Sequence, residues 1–153
     1  MSTYDDASWH YEGDYPQELP EISGATHIGM LLTWIIETGL YSREVEEDFA
    51  DELAEVKNKT LTGTAFLMQC FDGKLSDYDL NDSGNEFIGA YYDEDAAFSK
   101  MFASYLQDYT NVLNADAKYD SLYYIEDSWE NYAILKSTIT QRFKEWQQFS
   151  EEV

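Results

Sequence analysis

Residues 24–38, GATHIGMLLTWIIET, dictate more of the architecture than any other stretch of the chain. Wound at 3.6 residues per turn, Ile28, Met30, Leu31, Leu32, Trp34, Ile35 and Ile36 cover most of the helix circumference. A helix that is apolar nearly all round has no face to give to water, so other elements must surround it. Ser23 is the expected N-cap and Gly39 the expected stop. Both prolines, Pro16 and Pro20, precede this helix, so nothing downstream is barred from helical structure.

The surround is expected to be helical as well. Apolar periodicity predicts helices over 43–58, 62–72 and 95–113, the last carrying Phe98, Met101, Phe102, Tyr105, Leu106, Tyr109, Val112 and Leu113 on one broad face. A final helix opens at Asp127, with Glu130 three positions on as in a capping box. Residues 74–85 read as a polar loop, and 86–92 as a short helix or strand. NADAKYD reads as a break and SLYYI as an extended connector. Residues 1–22 read as an irregular aromatic leader. The expectation is a mainly α, single-domain bundle of about five to six helices spanning the whole chain. With 16% aromatic residues, it has ample material for a core.

Charge narrows the functional classes. Thirty-one Asp and Glu against nine Lys and Arg give a formal charge of −22. Such a chain repels nucleic acid and attracts basic partners, and no basic patch or phosphate-binding loop offsets this. Cys70 is the only cysteine, which excludes an internal disulfide; in the apolar run TAFLMQCF it is expected to be buried and inert. The N-terminus has neither a basic n-region nor an apolar h-region, and IGMLLTWII is too short to span a bilayer. A cytoplasmic location without membrane contact is therefore expected.

Candidate chemistry is sparse. Asp77, Asp79 and Asn81 match the first positions of a calcium loop, but Asp82 replaces its glycine and Ile88 its closing glutamate. Asp6 and His10 would share a helical face, yet two ligands make no metal site. His27 fits a satisfied core histidine, and no serine is marked out as a nucleophile. No enzymatic activity, cofactor or metal is expected.

The strings YDDASWHYEGDYP and GATHIGM resemble a family of small acidic uncharacterised bacterial proteins with a YDDA-x-WHY-x-GD-aromatic-P leader. A weaker likeness extends to SLYYIEDSWENYAILKSTITQRFKEW. The resemblance implies no established activity; it implies an association with toxin–antitoxin or immunity gene neighbourhoods. It assigns no catalytic role to Asp5, Asp6, Trp9 or His10. Physically, Trp9, Tyr11 and Tyr15 are expected to pack over the bundle end while Asp5, Asp6 and His10 bond backbone groups.

The segment REVEEDFADELAE, residues 43–55, is the strongest lead to function. Glu44, Glu47, Asp48, Asp51, Glu52 and Glu55 fall on one helical face beside an apolar stripe of Val45, Phe49, Leu53 and Val56. Like charges three and four residues apart repel by about 0.2–0.5 kcal/mol a pair, and a face meant only for water usually interleaves lysine. A basic protein partner would offset that cost. The expected function is an immunity-type inhibitor that occludes a basic toxin domain, a nuclease above all, with Asp77, Asp79 and Asp82 as a second patch. Two alternatives stand beside it: a non-catalytic acidic scaffold or homodimeric module, and a DNA-mimic inhibitor of a DNA-binding protein.

Overall fold

The computed structural model describes residues 2–114 and 117–152. In chain order it contains β1 (Thr3–Asp6), α1 (Ala7–Tyr11), α2 (Thr26–Thr38), α3 (Arg43–Lys57), α4 (Gly63–Cys70), β2 (Lys74–Ser76), α5 (Asp82–Tyr92), α6 (Ala97–Met101), α7 (Tyr105–Leu113) and α8 (Trp129–Glu152). Short 3-10 turns occupy Glu21–Ala25, Asp77–Asp79 and Leu122–Tyr124. The fold is mainly helical, as expected. Contacts divide the chain into two compact units, Met1–Gly84 and Asn85–Val153.

In the first unit α2 is the central element, with every residue from Thr26 to Ile36 buried. It ends at Gly39 in the left-handed region, φ 79°. Its start differs from expectation. The 3-10 turn runs straight into it, Ala25 holds the N-cap position, and no side chain caps it. α3 and α4 are capped by Ser42 and Thr62, whose hydroxyls accept from the amides of Val45 and Ala65. α4 crosses α2 at glycine. A Cβ on Gly29 would collide with the Thr64 backbone, and one on Gly63 with the Gly29 carbonyl and the Thr33 hydroxyl. The two backbones thus meet where neither can carry a side chain.

The leader is not irregular. Thr3–Asp6 pairs antiparallel with Lys74–Ser76, in the register Thr3 to Ser76, Asp5 to Leu75 and Asp6 to Lys74, and α1 follows at once. The ladder continues beyond the strands through Ala7 N–H to the Gly73 carbonyl, 2.9 Å, and Asp77 N–H to the Ser2 carbonyl, 2.9 Å. The segment read as a loop over 74–85 therefore contributes a strand, a 3-10 turn and the start of α5.

In the second unit the expected helix over 95–113 is two helices. Phe102 leaves helical geometry, and Ser104 opens α7 with a capping box closed by Gln107. The break after α7 is closed by Asn114, whose amide bonds Tyr119 in both directions, at 3.0 and 3.1 Å. Residues 115–116 of that break lie outside the described residues. SLYYI forms a 3-10 turn rather than an extended connector, and Ser128, not Asp127, caps α8 by accepting from Asn131 N–H. Phe87 of α5 packs on Phe143 and Trp146 of α8, while Phe98 of α6 meets Phe149.

One ion pair ties three helices of this unit together. Arg142 of α8 forks onto both carboxylate oxygens of Asp108 on α7, at 2.9 and 3.1 Å, and Tyr91 of α5 donates to the same carboxylate at 2.6 Å. Burial and the Asp108 charge push the Tyr91 phenol far above its ordinary range, so it remains a donor.

Two substitutions test this packing. Gly63→Ala should cost about 2 kcal/mol or more, since backbone rather than a flexible chain end must move. Asp108→Asn should cost about 3 kcal/mol, because it removes the forked charge partner of a half-buried guanidinium and leaves it only Glu145, at 3.0 Å. Urea denaturation read by circular dichroism measures both.

Candidate functional site

Two features of the first unit stand out chemically. One is a His–Asp–His cluster. Asp5 is the third residue of β1 and is buried, 4% exposed. Its Oδ1 lies 2.7 Å from Nε2 of His10 on α1, and its Oδ2 lies 3.1 Å from Nε2 of His27 on α2. A carboxylate can only accept here, so each Nε2 carries the hydrogen. Oδ1 also accepts from Asp6 N–H at 2.8 Å. The two imidazoles stand edge to face with centroids 4.5 Å apart. His27 is fully buried, which lowers its pKa; the Asp5 hydrogen bond and charge act against that shift, and the nearby His10 adds to it.

Local structure explains the convergence. Asp6 is the N-cap of α1: its Oδ1 accepts from Ser8 N–H at 2.9 Å and from the Ser8 hydroxyl at 2.8 Å. That cap starts a single short helix, which swings His10 back over Asp5. Gly24 lies against this helix, its missing Cβ only 3.3 Å from the His10 Cβ, so the turn before α2 can approach closely. His27 then enters in the first turn of α2.

This arrangement corrects the sequence reading at several residues. Asp6 and His10 were expected to share a helical face, but Asp6 precedes the helix and is occupied in capping it. Asp5, expected to bond backbone alone, holds both histidines. His10 bonds a side chain, and Trp9, expected to cover the bundle end, is 59% exposed. Tyr15 does fasten the leader, donating to the Pro20 carbonyl at 2.7 Å. His27 is the core histidine expected, though the partner at its Nε2 is an ionisable group.

The second feature is the acidic face of α3. Glu44, Glu47, Asp48, Asp51 and Glu55 are exposed, and Glu52 is half-buried. Val45, Leu53 and Val56 are buried on the opposite side, as the stripe predicts. The helix is not regular throughout. Phe49 adopts φ −131° and ψ 30°, and its ring lies edge-on against Phe66 and Phe71. Arg43 pairs with Glu47 at 3.2 Å, both well exposed, a contact of little energetic weight. Lys57 turns away from the face to the Tyr41 hydroxyl, 2.8 Å.

Beside the kink lies a cleft of about 450 Å³, lined by Val45, Asp48, Phe49, Phe71, Lys74 and Tyr78, with Cys70 at its wall. Burial, then the charges of Glu52 and Glu55, push the Cys70 thiol up, and the side chain is half-buried rather than buried as expected. The second acidic patch is reduced. Asp79 is 8% exposed, and its carboxylate accepts from the Ser76 amide and hydroxyl at 2.9 and 3.1 Å. Asp77 is half-buried and accepts from Ser2 N–H at 3.0 Å, leaving Asp82 as the exposed member. Among the described residues no helix is long and apolar enough to cross a membrane.

The structural weight of the cluster is measurable. Asp5→Ala removes the acceptor of a fully buried imidazole N–H and should cost about 2–3 kcal/mol. Asp6→Ala, losing only a cap, should cost about 1 kcal/mol. Chemical denaturation of the two variants side by side gives the comparison.

A family model for a domain of unknown function, DUF7832, matches residues 3–125. The matched segment contains the whole His–Asp–His cluster and all of α3. No curated protein and no solved structure shows a significant match. The chain belongs to the DUF7832 family.

Proposed function

We propose that this DUF7832 protein is an immunity-type inhibitor that binds a basic toxin domain through the acidic face of α3 and blocks it by occlusion, without chemistry of its own. The observation that carries this reading is the junction of two surfaces at Asp48. That residue belongs both to the exposed carboxylate face and to the wall of the cleft formed by Val45, Phe49, Phe71 and Tyr78. Protein interfaces combine such parts: charges at the rim steer encounter, and a pocket at the centre takes an aromatic or arginine anchor that sets residence time. A face serving solubility alone has no need of an apolar cleft at its edge. Tyr78, 54% exposed at the cleft, is a side chain suited to bury against a partner.

The nuclease is the preferred toxin class because its nucleic-acid groove presents the clustered Lys and Arg that this face complements. Asp82 lies outside the cleft lining and serves as the comparison site.

Replacing Asp48, Asp51 and Glu52 together by Asn, Asn and Gln should slow association with the toxin encoded beside the gene by about threefold to tenfold at low salt, and flatten its salt dependence. The same variant should gain about 1 kcal/mol of stability when free, because repulsion along α3 is relieved. Stopped-flow association and thermal melts read the two effects. Unchanged association with intact protection would remove α3 from the interface, and a loss in Asp82→Asn equal to that in Asp48→Asn alone would show the effect to be net charge alone.

A further inference from the structure

We infer that Asp5, His10 and His27 bind a divalent transition-metal ion of zinc-like softness, which clips β1 and α1 to α2. One donor atom from each residue lies within 4.8 Å of the others, so a single ion can reach all three. Nε2 of His10 lies 2.7 Å from Oδ1 of Asp5 and Nε2 of His27 lies 3.1 Å from Oδ2, so the donors are already in contact and need only spread slightly to admit an ion at about 2.0–2.1 Å. Two imidazole nitrogens and one carboxylate suit zinc, cobalt or nickel rather than magnesium or calcium, which take oxygen ligands.

The scaffold fixes each donor independently. Asp5 is held by the strand ladder, His10 by the helix that Asp6 caps, and His27 by the fully buried first turns of α2. Only His10 has appreciable side-chain exposure, 17% against 6% for Asp5 and none for His27. The ion would therefore enter from the His10 side, and water would complete its coordination there. On binding, each Nε2 must present a lone pair. The ring proton moves to Nδ1, and the two hydrogen bonds to Asp5 give way to bonds to the ion. A metal here reverses the expectation of none, which rested on the absence of a ligand constellation at any short spacing in the sequence.

Chelator-treated protein titrated with zinc chloride should bind one ion per chain by calorimetry, and its melting temperature should rise with zinc concentration. Cobalt in place of zinc should give the visible absorption of a low-coordinate nitrogen–oxygen site. Magnesium at the same concentration should do neither. His10→Ala and His10→Asn should each weaken zinc by at least about a hundredfold, more than the loss of an outer-shell partner gives, while retaining the helical circular dichroism of the parent. The Asp48, Asp51 and Glu52 triple variant should keep the site. Zinc binding that survives both His10 variants, that disappears in the α3 triple variant, or that never saturates at one ion per chain would overturn the proposal.

Discussion

A single buried carboxylate organises the first unit. Asp5 sits on a strand at 4% exposure, where an ionised group is costly unless hydrogen-bond donors meet it. Three do: the Asp6 amide and the two imidazoles. The imidazoles come from two different helices, so the requirement to satisfy Asp5 fixes where α1 and α2 meet the strand. The adjacent acid has the opposite task. Asp6 caps α1, the short helix that carries His10 back over Asp5. Two consecutive aspartates thus divide one job, the first gathering side chains and the second turning the chain to deliver one of them.

The acidic face of α3 follows a different logic, since its charges lie on the side away from the buried residues. Its buried side, Val45, Leu53 and Val56, is what attaches α3 beside α2. The outward carboxylates add repulsion, and the cations nearest in sequence do little about it: Arg43 makes one exposed pair and Lys57 bonds Tyr41. A cost that folding does not require is a reasonable place to look for binding. The kink at Phe49 sharpens this, because the ring that leaves the regular helix becomes a wall of the cleft while Asp48 beside it remains exposed.

What the sequence made legible was local. The central burial of α2, the stop at Gly39, the helical span of α3 and its apolar side follow from period and caps. What it concealed was pairing at a distance. TYDD and KLS are short and polar, with no alternation to mark them as strands, and they become strands only because they meet across some seventy residues. His27 lies 22 residues from Asp5, so no spacing rule could join them. The assumption of a helix through Asp6 pointed to the wrong aspartate. Ser104 and Gln107 spell a capping box, but the apolar period of Phe98, Phe102, Tyr105 and Tyr109 runs across it and hides the break. The conformation had the box on its side, since the amides at the start of α7 need partners whether or not the apolar face continues.

The family match and the packing together separate what is general from what this chain adds. The match ends at residue 125, before α8 begins, yet α8 supplies Arg142 to Asp108 and the rings that enclose Phe87 and Phe98. The second unit therefore owes the closure of its core to a helix outside the matched segment. The cluster on Asp5, the glycine crossing of α2 and α4, and the acidic face of α3 all lie within the match. A face that recognises a partner and a clip that stiffens the elements behind it are compatible roles there, because a rigid scaffold lets a docking surface bind without first ordering itself.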